Sequence, residues 1–178
     1  MTECERTTAY VSVGSNIDPE KNLAAGLKAL TEELHVVSIS TMYASRPTER
    51  PEQADFVNGV WKLELDVEMD PWTLKFDVLR AVESRLGRTR GPDKHAARTL
   101  DLDLLLHGDL VIRSDELVLP DPSIYKAAYV LFPLAEIAQH LVLPDTKLQV
   151  QDLEGANDAC GLRPLPKLTA SLKGWLHR

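Results

Sequence analysis

The run Asp101-Leu102-Asp103 sets two carboxylates two residues apart. On a β-strand such residues point to the same face, so the two acids are expected to be neighbours while Leu102 faces the core. Like charges this close raise one another's pKa unless a cation neutralises them. Oxygen ligands of this kind suit Mg2+, which takes one or two carboxylates and leaves room for water and phosphates. Two acids on a solvated strand face look the same, so the preceding segment carries the weight. There Arg80, Arg85, Arg88, Arg90, Lys94 and Arg98 concentrate, opposed only by Glu83 and Asp93. Cations at a helix end favour its dipole, which accounts for Arg85 and in part Arg88 but not for Arg90, Lys94 and Arg98 beyond the helix. The planar fork of arginine matches phosphate oxygens. Carboxylates for a metal beside arginines for phosphates fit metal-assisted phosphoryl-type transfer, where positioning and charge neutralisation do most of the catalysis.

The elements that must hold these groups are legible in the patterning. Thr8–Val13 is a β-prone run ending in the turn cluster Gly14-Ser15-Asn16. Asp18-Pro19 reads as an N-cap and a first-turn proline, and Leu23, Leu27, Leu30 and Leu34 then mark one face of a helix. Val36–Ser45 is expected to be a second strand and Phe56–Asp66 a half-buried third, with a loop of two prolines and several charges between them. Asp70-Pro71 repeats the helix start. Trp72, Phe76, Leu79, Val82 and Leu86 are expected on its apolar face, and Gly87 stops it. A loop over 88–97 leads to a strand over Thr99–Leu106. The order β-α-β-β-α-β is the ferredoxin-like split unit, an α+β sandwich with helices packed on an antiparallel sheet. A short strand at Leu117–Leu119, an apolar helix from about Tyr129 to Ala138 and a tail with Pro164 and Pro166 follow as C-terminal additions.

At 178 residues the chain is expected to be one domain, long enough to bury its own core. A formal net charge of −7 makes it a poor general ligand for nucleic acid or anionic membrane. Met1–Tyr10 has no apolar signal region, and no apolar run approaches a spanning helix, so a cytoplasmic protein is expected. Cys4 and Cys160 make no disulfide framework, and the five histidines show no metal-ligand spacing.

The segment Lys94-His95-Ala96-Ala97-Arg98-Thr99-Leu100-Asp101-Leu102-Asp103-Leu104-Leu105 resembles the signature of the 6-hydroxymethyl-7,8-dihydropterin pyrophosphokinase family. Ala9–Asn16 is similar to its opening strand and turn, Phe56-Val57-Asn58 to its pterin-binding strand, Tyr129–Ala138 to its late helix and Pro144-Asp145 to the turn after it. The resemblance covers about residues 8–150, with 151–178 as an extension. It implies the ferredoxin-like fold and transfer of the terminal diphosphate of ATP to the hydroxymethyl group of a dihydropterin, with release of AMP. By the same resemblance Asp101 and Asp103 hold two magnesium ions, and metal coordination activates the attacking hydroxyl. Arg88 and Arg98 clamp phosphates with Arg90 beside them, and Glu83 helps seat the nucleotide. Phe56 and Tyr129 sandwich the pterin, Asn58 bonds its edge, and Ser45, Pro47 and Thr48 complete the pocket through their backbone. A flat ring with a dense donor and acceptor edge does suit aromatic faces plus one amide. ATP and the dihydropterin are then the partners, with a monomer expected.

The chain departs from the family where many members carry histidine at Asp121, arginine at Ala127 and tryptophan at His95. Asp121 puts a negative charge on the nucleotide side, and Ala127 removes a cation from it. Two other readings remain open on the residues alone. A nucleotidyltransferase also combines a Gly-Ser turn with paired acids, but usually within about ten to fifteen residues, whereas Ser15 and Asp101 are far apart. A metabolite-binding ferredoxin-like module needs neither the acid pair nor the arginines.

Overall fold

The computed structural model describes residues 6–47, 51–89, 93, 96–159 and 161–176. Strand β1 (Arg6–Ser15) leads into helix α1 (Pro19–Thr31), then β2 (His35–Ile39), β3 (Tyr43–Ser45) and β4 (Phe56–Asp66). Helix α2 begins as a π-helix over Thr73–Leu79 and continues as α-helix over Arg80–Arg85. Strand β5 (Asp101–His107) precedes a hairpin of β6 (Ile112–Arg113) and β7 (Val118–Leu119), and α3 spans Ala128–Ala138. The chain finishes with β8 (Leu162–Pro164) and α4 (Pro166–Lys173). The main sheet runs β5-β1-β4-β3-β8, with β2 also on β4, and every pairing in it is antiparallel. Without β8, this is the expected ferredoxin-like order.

Alternation along the strands creates two cores. Ala9, Val11 and Val13 of β1 share one buried cluster with Leu23, Leu27 and Leu30 of α1, Leu74 and Leu79 of α2, and Leu168 and Leu172 of α4. Tyr10, Val60 and Leu105 belong to the other, which α3 closes with Val130, Leu131 and Leu134. Strand β4 was expected to be half-buried, yet Val57 to Trp61 are all buried because helices cover both its faces there.

Three expectations are corrected by local chemistry. Val36–Ser45 is two strands, since Ser40–Met42 leaves the ladder with β4. The Ser40 hydroxyl takes the Val60 N–H at 2.9 Å, and Met42 folds over Gly59, where a Cβ would lie 2.6 Å from its sulfur. In α2 the buried residues are Leu74, Val78, Leu79, Val82 and Glu83, while Trp72 is exposed and Phe76 partly so. The wider i→i+5 turn rotates the apolar face away from the 3.6-residue phase. The Arg80 guanidinium lies 4.3 Å from the centroid of the Phe76 ring, a cation–π contact on that outer face. At α1, Asp18 sits in the left-handed region (φ 40°) and its side chain makes no capping bond. Asp70 does cap, accepting from the backbone N–H of Trp72 and Thr73 and from the Thr73 hydroxyl.

The tail, to which the sequence assigned nothing, extends the sheet through β8 and returns to the core through α4. Thr48, Arg90, Lys94 and His95 lie outside the described residues, as do Cys4, Cys160 and His177.

Candidate active site

Directly opposed residues on antiparallel neighbours share a face of the sheet. The register therefore sets Asn58 of β4, Gly14 of β1 and Asp101 of β5 in one row. Val60, Ser12 and Asp103 form the next row on the same face. The two acids are neighbours on the sheet, and Leu102 between them is buried in the opposite core. Further along this face α3 covers the sheet, so the rows lie beside the first turn of α3, which carries Tyr129.

Asp101 is partly buried and accepts from both Arg88 and Arg98. Arg88 also donates to Glu83, which is only 1% exposed and whose Oε1 accepts the Leu102 N–H at 2.8 Å. The result is a connected series, Glu83–Arg88–Asp101–Arg98, alternating in sign. Charges withdrawn from water persist in such pairs, where each is neutralised and hydrogen-bonded. Arg85 turns the other way, to Glu32 (3.3 Å) and Glu33 (3.1 Å) at the end of α1, and so serves helix packing.

Asp103 keeps solvent-facing surface. Its carboxyl is nevertheless pushed up to about 7, chiefly by loss of water around the carboxyl, then by the charges of Asp101, Asp121 and Glu83, with Arg88 pulling the other way. Loss of water, followed by the charges of Asp103 and Asp101, also raises the Tyr129 hydroxyl. Asp121 caps the short turn Pro122–Tyr125, accepting from the Ser123 N–H at 2.8 Å and its hydroxyl at 2.6 Å. A divalent cation would relieve the repulsion at Asp103. Among the described residues no three His, Cys, Asp or Glu gather into a cage. Two carboxylates on an open face instead fit Mg2+, whose shell is completed by water and phosphate oxygens.

At the other end of the first row, Asn58 is 9% exposed and its Nδ2 donates to Ser45 Oγ at 2.9 Å. Phe56 opens β4 on the same face, paired with Ser45, and half-buried Pro47 follows on the loop. Ser45 thus reaches the amide with its side chain, where the sequence suggested only backbone.

Two residues in the Gly14-Ser15-Asn16 turn went unread in the sequence. Gly14 stands between Asn58 and Asp101, and a Cβ there would meet Asn58 Oδ1 at 2.8 Å. Asn16, 7% exposed, accepts the Arg98 N–H on Oδ1 at 2.7 Å and donates from Nδ2 to Gln53 at 3.1 Å. Its own N–H returns to the Arg98 carbonyl at 3.1 Å. One asparagine therefore joins the loop after β3 to the segment that delivers Arg98. A turn motif is visible in a sequence, but the long-range pairing that gives it this task is not.

A ferredoxin-like sheet with paired acids, guanidinium groups and a buried amide on one face fits a phosphate-group transferase. Residues 10–139 match the family described as 7,8-dihydro-6-hydroxymethylpterin-pyrophosphokinase. The chain belongs to this family. It is 39% identical over 144 residues to the 2-amino-4-hydroxy-6-hydroxymethyldihydropteridine pyrophosphokinase of Haemophilus influenzae, covering 79% of this chain and 88% of that one. The enzyme of the same name from Pseudomonas aeruginosa is 37% identical over 160 residues, covering 88% and 96%. Among solved structures, a Plasmodium falciparum HPPK-DHPS chain superposes with a TM-score of 0.64 at 11% identity, over 85% of this chain and 43% of that one. That likeness speaks to the fold.

Proposed function

We propose that the chain carries out the family's reaction in folate biosynthesis, moving the terminal diphosphate of ATP onto the hydroxymethyl group of 6-hydroxymethyl-7,8-dihydropterin. The hydroxyl oxygen forms a bond to the β-phosphorus, the bond from that phosphorus to the α,β-bridging oxygen breaks, and AMP leaves with that oxygen. The hydroxyl proton passes to solvent. The observation that carries this reading is the row Asn58–Gly14–Asp101, which joins a buried side-chain amide to a carboxylate across a glycine.

Asn58, steadied by Ser45, bonds the pterin edge, and Phe56 and Tyr129 take its two faces. Pro47 and Thr48 close that side. Arg88 and Arg98 turn from Asp101 to the phosphates as the nucleotide enters, and Arg90 joins them. Glu83, fixed to the Leu102 N–H, keeps Arg88 at the site through that exchange. Asp121 borders the nucleotide side. Two Mg2+ held by Asp101 and Asp103 would supply neutralisation of the triphosphate charge. Bringing two anionic assemblies together this way is a matter of positioning and electrostatics, with no covalent intermediate.

The nucleotidyl-transfer reading loses its motif in the structure. Ser15 is buried and its hydroxyl donates to the Ile17 carbonyl at 3.1 Å within its own turn. Our reading makes residues 1–178 one domain and the protein a cytoplasmic monomer acting on small molecules, without nucleic-acid or membrane partners. Among the described residues no helix is long and apolar enough to cross a membrane. Incubation with ATP, Mg2+ and the hydroxymethyl dihydropterin is expected to give AMP and the pterin diphosphate in equal amounts. Release of ADP, or of free diphosphate with a nucleotidylated pterin, would overturn the assignment.

A further inference from the structure

The break between β2 and β3 leaves Met42 outside both ladders, yet Met42 is wholly buried. A buried backbone N–H and C=O without partners would each carry a desolvation cost. Both are satisfied from the C-terminal segment, beyond the stretch matched by the family. The Met42 N–H donates to Thr169 Oγ1 of α4 at 2.9 Å, and the Met42 carbonyl accepts from the Leu165 N–H at 2.8 Å. Thr169 is 7% exposed, and its hydroxyl donates in turn to the Leu165 carbonyl at 2.9 Å, so the hydroxyl is used in both directions. From Met42 the contact continues as a ladder: Tyr43 pairs with Pro164, Ala44 with Arg163 and Ser45 with Leu162. Ser45 is the residue that accepts from Asn58.

We infer that the C-terminal segment is a positioning element for the heterocycle pocket, and that Thr169 is its key residue. Strand β3 has only three residues and would otherwise be the sheet's edge. Edge segments this short hold their register weakly on their own. Thr169 and β8 set the height of β3 against β4, and with it the Ser45 hydroxyl that orients Asn58. The arginines and acids depend on β1, β5 and α2, which share a core with Leu168 and Leu172 of α4 but take no hydrogen bond from Thr169 or β8. The Thr169 and β8 bonds to β3 therefore govern the dihydropterin side of the site and leave the nucleotide side alone. This rests on the assignment of Asn58 to the pterin.

The test is Thr169→Val, which keeps the shape and removes the hydroxyl, with Thr169→Ser as the rescue. KM for each substrate and backbone amide exchange are measured on the full chain. Thr169→Val is expected to raise KM for the dihydropterin roughly five- to tenfold, as loss of one buried hydrogen bond implies. KM for ATP stays within twofold, amides of Met42–Ser45 exchange faster while those of β1 and β5 do not, and Thr169→Ser restores both readouts. Equal changes in the two KM values, or faster exchange across the whole sheet, would overturn the inference, as would no change at all. Failure of the functional assignment is separate, because it would appear as an absence of AMP in the parent protein.

Discussion

The guanidinium of Arg98 rests on the carboxylate of Asp101, three residues further along the chain. Arg88 takes the other oxygen of the same carboxylate, so a proposed metal ligand is neutralised by the very groups proposed to clamp phosphate. Binding then becomes an exchange of partners. Removing Asp101 or Asp103 as charges, in Asp101→Asn or Asp103→Asn, is expected to lower kcat by at least roughly a hundredfold, as loss of one preorganised electrostatic contact does. Far-UV circular dichroism and the urea midpoint should show a folded protein. Turnover near that of the parent in either variant would remove the metal-pair assignment.

Glu83 should matter more to stability than to recognition. It is buried with Arg88 beside it and holds a backbone N–H of β5. Glu83→Ala leaves Arg88 with Asp101 alone and the buried Leu102 N–H without its acceptor, and is expected to cost about 1–3 kcal/mol, read from urea unfolding. Glu83→Gln keeps an acceptor for Leu102 and should cost less. A loss below about 1 kcal/mol in Glu83→Ala would contradict the anchoring role.

Gly14 and Asn58 are expected to act as one unit. Asn58→Ala should weaken dihydropterin binding by about 1–3 kcal/mol in calorimetry, with ATP binding little changed. Gly14→Ala pushes its new Cβ against Asn58 Oδ1 and should produce a similar selective loss. Residues in contact do not add, so the double variant should be scarcely worse than either single one. Full additivity would show that Gly14 acts by some other route.

Tyr43 offers a pH signature. It is 6% exposed and donates to Glu136 at 2.6 Å. Burial, then the Glu136 carboxylate, pushes its phenol up to about 12, from about 10 in the unfolded chain. The folded state thus holds this proton more tightly, and the associated stability is fully present below pH 10 and lost as pH rises through about 12. Subtracting the tyrosinate absorbance of Tyr43→Phe should isolate one phenol titrating near that upper value, and Glu136→Gln should move it down. A component at about 10 would contradict the burial of this ring.

Local signals carried most of the elements, and their failures share a cause. Alternation alone set the bounds of β4, and the acid spacing put Asp101 and Asp103 on one face, because both depend on the period of a strand. The break at Ser40–Met42 was invisible, since the groups that permit it, Gly59 and Thr169, are distant in sequence. Trp72 and Phe76 misled because a π-helical turn is not written in apolar spacing. Gly14 and Asn16 looked like ordinary turn residues until β4, β5 and Gln53 were brought alongside. What the sequence withheld was partnership across the sheet rather than the identity of the elements.

The most direct measurement is a crystal structure with Mg2+, a nonhydrolysable ATP analogue and the dihydropterin. Our account predicts divalent ions beside Asp101 and Asp103, Arg88 and Arg98 on the phosphates, and the ring against Asn58. Both acids still locked on arginine or pointing to bulk solvent, with the nucleotide bound elsewhere, would contradict it.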